Sequence, residues 1–166
     1  MSELAELLSV DDKRALEFFA QRLSDVSGPQ VDRMQLIYNA SVLAHYAQVS
    51  TSAEAEFPAP ATLSAVFDHF VTDTTLLSDR SMMETAGAQC LVLSGFFQDQ
   101  MRRRHNIDWY ARLGAGFFVR SAYFEPSQAK AKLLYKISKN FEPWRQRHAL
   151  LSRELRDTPY LLKPPS

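Results

Sequence analysis

The sequence predicts an all-α, single-domain bundle of six or seven helices. Apolar residues recur with the 3.6-residue helical period through most of the chain. Glycine is scarce, at 5 of 166 residues, which argues against a turn-rich β fold. Breakers such as Gly28-Pro29 and Glu125-Pro126 fall between the periodic stretches. An apolar content of 46% at this length supports one buried core and argues against global disorder.

Taken in order, Leu16, Phe19, Leu23 and Val26 mark one face of a first helix. Ser9 and Asp12 resemble a capping box at its start, and Gly28-Pro29 stops it. A second helix, over 30–49, carries Met34, Ile37, Tyr38, Val42, His45 and Val49, with Ala and Leu residues widening the stripe into a central position. Residues 50–61 are rich in breakers and read as an extended surface loop. Thr62 caps a third helix striped by Leu63, Val66, Phe67, Phe70 and Leu77. A fourth starts near Asp79 and runs toward His105, with Met82, Ala86, Cys90, Leu93 and Phe97 on one face.

Asn106 and Asp108 read as a break and an N-cap, with a fifth helix running from Trp109 to Phe124. Ser127 caps a sixth, with Leu133, Leu134, Ile137 and Phe141 inward. Pro143 is expected to break or kink the chain after Phe141, and Trp144, His148, Leu151 and Leu155 line a last helix. The helical domain is read as 1–156, with 157–166 an extended tail.

Net charge is zero, but it is split. Residues 1–100 carry 14 acidic and 5 basic residues, and residues 101–166 carry 5 acidic and 14 basic ones. Such an asymmetry points to an anionic partner or to an acidic-to-basic self-contact. The N-terminus has neither a basic nor an apolar leader region, and no apolar run is long enough for a membrane span, so a cytoplasmic protein is expected. The lone cysteine, Cys90, excludes an internal disulfide and any multi-cysteine metal site.

Two segments, 84–97 and 112–122, are unusually rich in small residues. Glycine inside a helix costs about 1 kcal/mol relative to alanine, so Gly87, Gly114 and Gly116 are expected to mark a tight helix crossing; the alternative is a pocket for a small ligand or a reaction at that crossing. Gly87-Ala-Gln-Cys-Leu-Val-Leu-Ser-Gly-Phe-Phe97, with Ile107-Asp-Trp-Tyr-Ala-Arg-Leu-Gly114 after it, resembles a segment of uncharacterised bacterial proteins that reads G-D-x-x-L-x-x-S-G-F-F and then D-Y-Y-x-x-x-G. This chain has Ala88 in place of that Asp and Trp109 in place of the first Tyr. The resemblance implies a bacterial, cytosolic helical protein. It brings no activity and assigns no catalytic residue.

No motif for chemistry emerges. Glu-x-x-His pairs, H-E-x-x-H, a nucleophile elbow and a phosphate-binding loop are all absent from the sequence. His69 and Asp73 are i,i+4 neighbours opposite an apolar stripe and read as a solvated pair. His45 and His148 fall on apolar faces and read as hydrogen-bonded core histidines. His105 ends a basic run where it favours a helix C-terminus. Cys90 reads as a buried, inert thiol. No cofactor, metal or catalytic residue is assigned.

The basic half does have a geometry. Lys132, Lys136 and Lys139 are spaced i, i+4, i+7 opposite Leu134, Ile137 and Phe141. Arg145, Arg153 and Arg156 continue a basic row on the last helix, and Arg102, Arg103 and Arg104 form a third cluster. The sequence is therefore read as a non-catalytic interaction or assembly protein. Arg102, Arg103, Arg104, Lys132, Lys136, Lys139 and Arg145 are its partner-binding residues, and a protein partner or a second copy is the occupant. Binding of a nucleic-acid backbone by the same face is the alternative.

Overall fold

Helix boundaries fall where local chemistry interrupts the backbone ladder. The computed structural model describes residues 12–50, 79–102 and 106–155, all-α with no strand among them. Helix α1, Asp12–Ser27, ends at Gly28, whose φ of +84° is the left-handed closure that glycine adopts without a Cβ clash. Helix α2, Arg33–Ser50, starts at Asp32, whose carboxylate accepts from the Met34 N–H at 2.9 Å and the Gln35 N–H at 3.2 Å.

Helix α3, Asp79–Leu91, runs into a π-helical turn, Val92–Phe96, and then the short α4, Gln98–Met101. The predicted fourth helix is thus interrupted. Phe97 N–H reaches back five residues to the Val92 carbonyl at 2.9 Å, and the Ser94 hydroxyl donates to the Cys90 carbonyl at 2.6 Å.

Helix α5, Ile107–Phe124, is capped by Asn106, whose side chain accepts from the Trp109 N–H at 3.1 Å. The cap is therefore Asn106 and not Asp108. Asp108 lies in the first turn, where its charge favours the helix N-terminus. Helix α6, Gln128–Lys139, is capped by Ser127, which accepts from the Lys130 N–H at 3.3 Å. Helix α7, Phe141–Glu154, begins after Asn140 alone. Phe141 thus opens the last helix rather than closing the sixth. Pro143 neither breaks nor delays α7: it occupies the first turn, where its missing N–H would have no intrahelical acceptor.

The expected helix from Thr62 to Leu77 with His69 and Asp73, the loop beyond Ser50, Ser9, His105 and the tail all lie outside the described residues.

Helices α1 and α2 pair, α3 lies along α5, α5 and α6 form a hairpin, and α7 crosses the π-turn while touching α1 and α5. Phe19, Leu23, Tyr38, Leu43, Leu91, Phe97, Phe118, Leu134 and Trp144 are fully enclosed. The crossing is as tight as the small residues predict at two of the three named glycines. A Cβ on Gly114 would lie 2.6 Å from Phe141 Cζ and 2.7 Å from Cys90 Cβ, and one on Gly87 would lie 3.0 Å from the Phe118 ring. Gly116 corrects the third: nothing lies within 4 Å of its would-be Cβ, and it faces outward. Gly95, which composition does not single out, is the other close approach. Its Cβ would meet the Arg145 carbonyl and His148 Cβ, both at 2.9 Å.

Polar groups thread this core. Lys130 Nζ lies 3.4 Å from Glu84 Oε1, both side chains 3% exposed, and Tyr38 donates to Glu84 Oε2 at 2.7 Å. A second chain joins α2 to α7. Trp144 Nε1 and Asn140 Nδ2 donate to Gln35 Oε1 at 2.9 and 3.2 Å. Asn39 Nδ2 donates to the Gln35 carbonyl at 2.8 Å, which turns Asn39 Oδ1 toward His148 Nε2, also at 2.8 Å. His148 must therefore donate from Nε2, and its buried Nδ1 has no hydrogen-bond partner. Burial pushes His148 down to about 3 and the Cys90 thiol up to about 11, so both stay neutral at ordinary pH.

Candidate interaction face

Helix α5 has two apolar faces. Gly114, Phe118 and Ser121 are buried against the bundle. On the opposite side Trp109, Arg112, Gly116, Val119, Arg120, Tyr123 and Phe124 are exposed. The exposed aromatic surface is large, with Tyr123 at 82%, Phe124 at 58% and Trp109 at 54% of full exposure. Neighbouring rings brace one another edge to face, Trp109 on Tyr110 and Tyr123 on Phe124, with centroids 5.0 Å apart in each pair. Aromatic side chains and arginine are the residue types enriched in protein contact surfaces.

Helix α6, packed beside α5, carries exposed charge of its own. Lys132 and Lys139 are exposed, and Lys139 Nζ sits 5.2 Å from the centre of the half-exposed Tyr135 ring. Lys136, on the same side of α6 and partly exposed, lies 3.8 Å from Asp32 Oδ2. Burial raises the Asp32 carboxyl, but the hydrogen bonds from Gln35 and Met34 and the charge of Lys136 outweigh it and leave it below its ordinary value. Lys132, Lys136, Asp32, Met34, Ala129 and Leu133 border a shallow groove of about 210 Å³.

The structure sorts the residues expected to bind a partner. Lys132 and Lys139 point outward together, and Lys136 is tied to Asp32. Arg102 is exposed and lies 3.9 Å from Asp99, which also meets Arg153 at 3.6 Å, so that cluster carries its own counter-charge. Arg103 and Arg104 lie outside the described residues. Arg145 is a correction: it is 8% exposed and does not join an outer row. Its Nη1 donates to the Ser94 carbonyl at 3.0 Å, while Nε and Nη2 grip Glu142 at 2.9 and 2.6 Å. Those bonds hold the Glu142 carboxyl below its usual range. Arg145 locks the π-turn to α7 and is unavailable to a partner. The exposed residues of α5 that the charge pattern does not single out are Trp109, Arg112, Val119, Arg120 and Tyr123. Their signal was present as a second apolar stripe on a helix already amphipathic the other way.

No group of three His, Cys, Asp or Glu among the described residues could hold a metal ion, and the Gly87 and Gly114 crossing is filled by the Phe118 and Phe141 rings. No helix among them is long and apolar enough to cross a membrane. No protein-family model, curated protein or solved structure matches the chain.

Proposed function

We propose that this chain is a non-catalytic binding protein whose outward surface of α5 and α6 takes an acidic protein partner. The observation that carries the reading is the exposed set Trp109, Val119, Tyr123 and Phe124, with Arg112 and Arg120 between them, on a helix whose other face is locked into the core. Aromatic groups and arginine supply the contact energy in such surfaces, while flanking lysines steer an oppositely charged partner and suppress like-charged ones.

The test is a photo-crosslinking residue placed at Tyr123 or Tyr135 in cells, with one at the exposed Leu150 of α7 as control. The expected result is a protein adduct at both test positions, mapping to a net-acidic surface and lost with Arg120→Glu combined with Lys132→Glu. Adducts formed equally at Leu150, or formed with nucleic acid instead of protein, would overturn the reading.

A further inference from the structure

Resting on that reading, the geometry points to a specific occupant: an acidic amphipathic helix lying along α5, with a bulky apolar side chain seated over Gly116. Trp109, Arg112, Gly116, Val119 and Tyr123 are separated by 3, 4, 3 and 4 residues. That is the spacing of a helix-packing seam, and all five positions are exposed. Over 18 residues, α5 is long enough to present two full heptads.

Gly116 supplies a second and independent observation. A glycine inside a helix weakens it, and the other tight glycines repay this by admitting a neighbour of the same chain. Gly116 admits none, since nothing lies within 4 Å of its missing Cβ. It leaves a notch midway between Trp109 and Tyr123, seven residues from each. One turn away on its exposed side lie Arg112, Val119 and Arg120, and Trp109 and Tyr123 stand two turns away at either end, so the notch has room for a large apolar residue from outside.

Charge selects what brings that residue. Arg112 stands within the seam and Arg120 beside it, and the acid on the exposed side of α5 is Asp108 at the far N-terminal end. Antiparallel pairing of two copies centred on Gly116 would set Arg112 of one against Arg120 of the other, twice. Parallel pairing would set each arginine against itself. Like charges placed so are repelled, and a helix carrying glutamate or aspartate beside its apolar stripe is attracted. Symmetric pairing of α5 with a second copy of itself is thereby disfavoured, and the occupant is a foreign acidic helix.

The experiment titrates the full chain with a synthetic helical peptide of about 20 residues, leucine at its seam positions and glutamate beside them. A control peptide carries lysine in place of each glutamate. Trp109 emission is expected to shift to the blue with the acidic peptide and not with the basic one, and the shift should vanish in Trp109→Phe. Gly116→Leu fills the notch without touching the core, and is expected to weaken binding about tenfold or more while the chain remains folded by circular dichroism. Equal affinity for the basic peptide, or unchanged affinity in Gly116→Leu, would overturn the inference. So would a concentration-dependent dimer that Gly116→Leu disperses, or displacement of the peptide by an oligothymidine. Failure of the peptide alongside continued acidic-protein crosslinks at Tyr135 would remove the helical occupant and leave the broader reading standing.

Discussion

Lowering the pH through the histidine range should destabilise this protein, and His148 should account for a definable share. His148 is fully enclosed and held near pKa 3 against an ordinary 6.5. Below pH 6.5 the unfolded chain takes up a proton that the native state refuses until about pH 3. The stabilisation that neutral His148 confers is therefore complete above pH 6.5 and is lost as pH falls through that window. One proton's difference is worth about 1.4 kcal/mol per pH unit. Between about pH 6.5 and about pH 5 the loss attributable to His148 is then about 2 kcal/mol, and over the whole interval about 5 kcal/mol. The upper part of the window is the clean one, because carboxylates remain ionised in both states there.

Equilibrium urea unfolding monitored by circular dichroism at several pH values between about 7.5 and about 5 measures the slope. His148→Gln removes the titration while leaving an amide that can still donate to Asn39 Oδ1. Its stability at about pH 7.5 should fall by about 1–2 kcal/mol through imperfect packing, but its slope should be shallower than the parent's by nearly one proton. Identical slopes in parent and variant would refute this account of His148. So would a ring-nitrogen NMR shift showing His148 protonated at about pH 5.

The same packing sets three further outcomes. Lys130→Met should cost about 3–5 kcal/mol by taking its cation away from the buried Glu84 charge, and adding Glu84→Gln should recover part of that loss; denaturant midpoints of the single and double variants decide it. Gly114→Ala should destabilise by about 1–3 kcal/mol, because Phe141 and Cys90 must move. Gly116→Ala should instead stabilise by about 0.5–1 kcal/mol, and thermal melts that rank the two the other way would contradict the crossing described. Cys90, buried with its thiol raised to about 11, should resist a thiol reagent at mildly alkaline pH in the native protein and react once urea unfolds it; rapid native labelling would contradict its burial.

The all-α class, the caps at Ser127 and Gly28, the buried Cys90 and the inward stripes of α1, α6 and α7 were all legible from residue spacing. Periodicity and capping are local, and local rules reached them. Arg145 shows where such rules fail. Its charge assigns it to an outer row, yet it stands four residues after Phe141 and three before His148, on the apolar stripe of α7. Lys130 stands likewise in line with Leu134 and Ile137. At Arg145 spacing held and residue type misled, and at both positions a partner distant in the chain, Ser94 or Glu84, supplies a polar contact.

Gly87, Gly95, Gly114 and Gly116 look alike in sequence, since each is a glycine inside a helical pattern. Only the tertiary arrangement separates them. Three lie against Phe118, His148 or Phe141, and one opens on solvent, because which side of a helix a neighbour covers depends on the packing of elements far apart in the chain. The same arrangement decided that α5 spends one apolar stripe on the core and leaves the other exposed. Local sequence could set the helix and both stripes. It could not say which stripe the bundle would cover, and that choice makes the outer one a candidate surface for a partner.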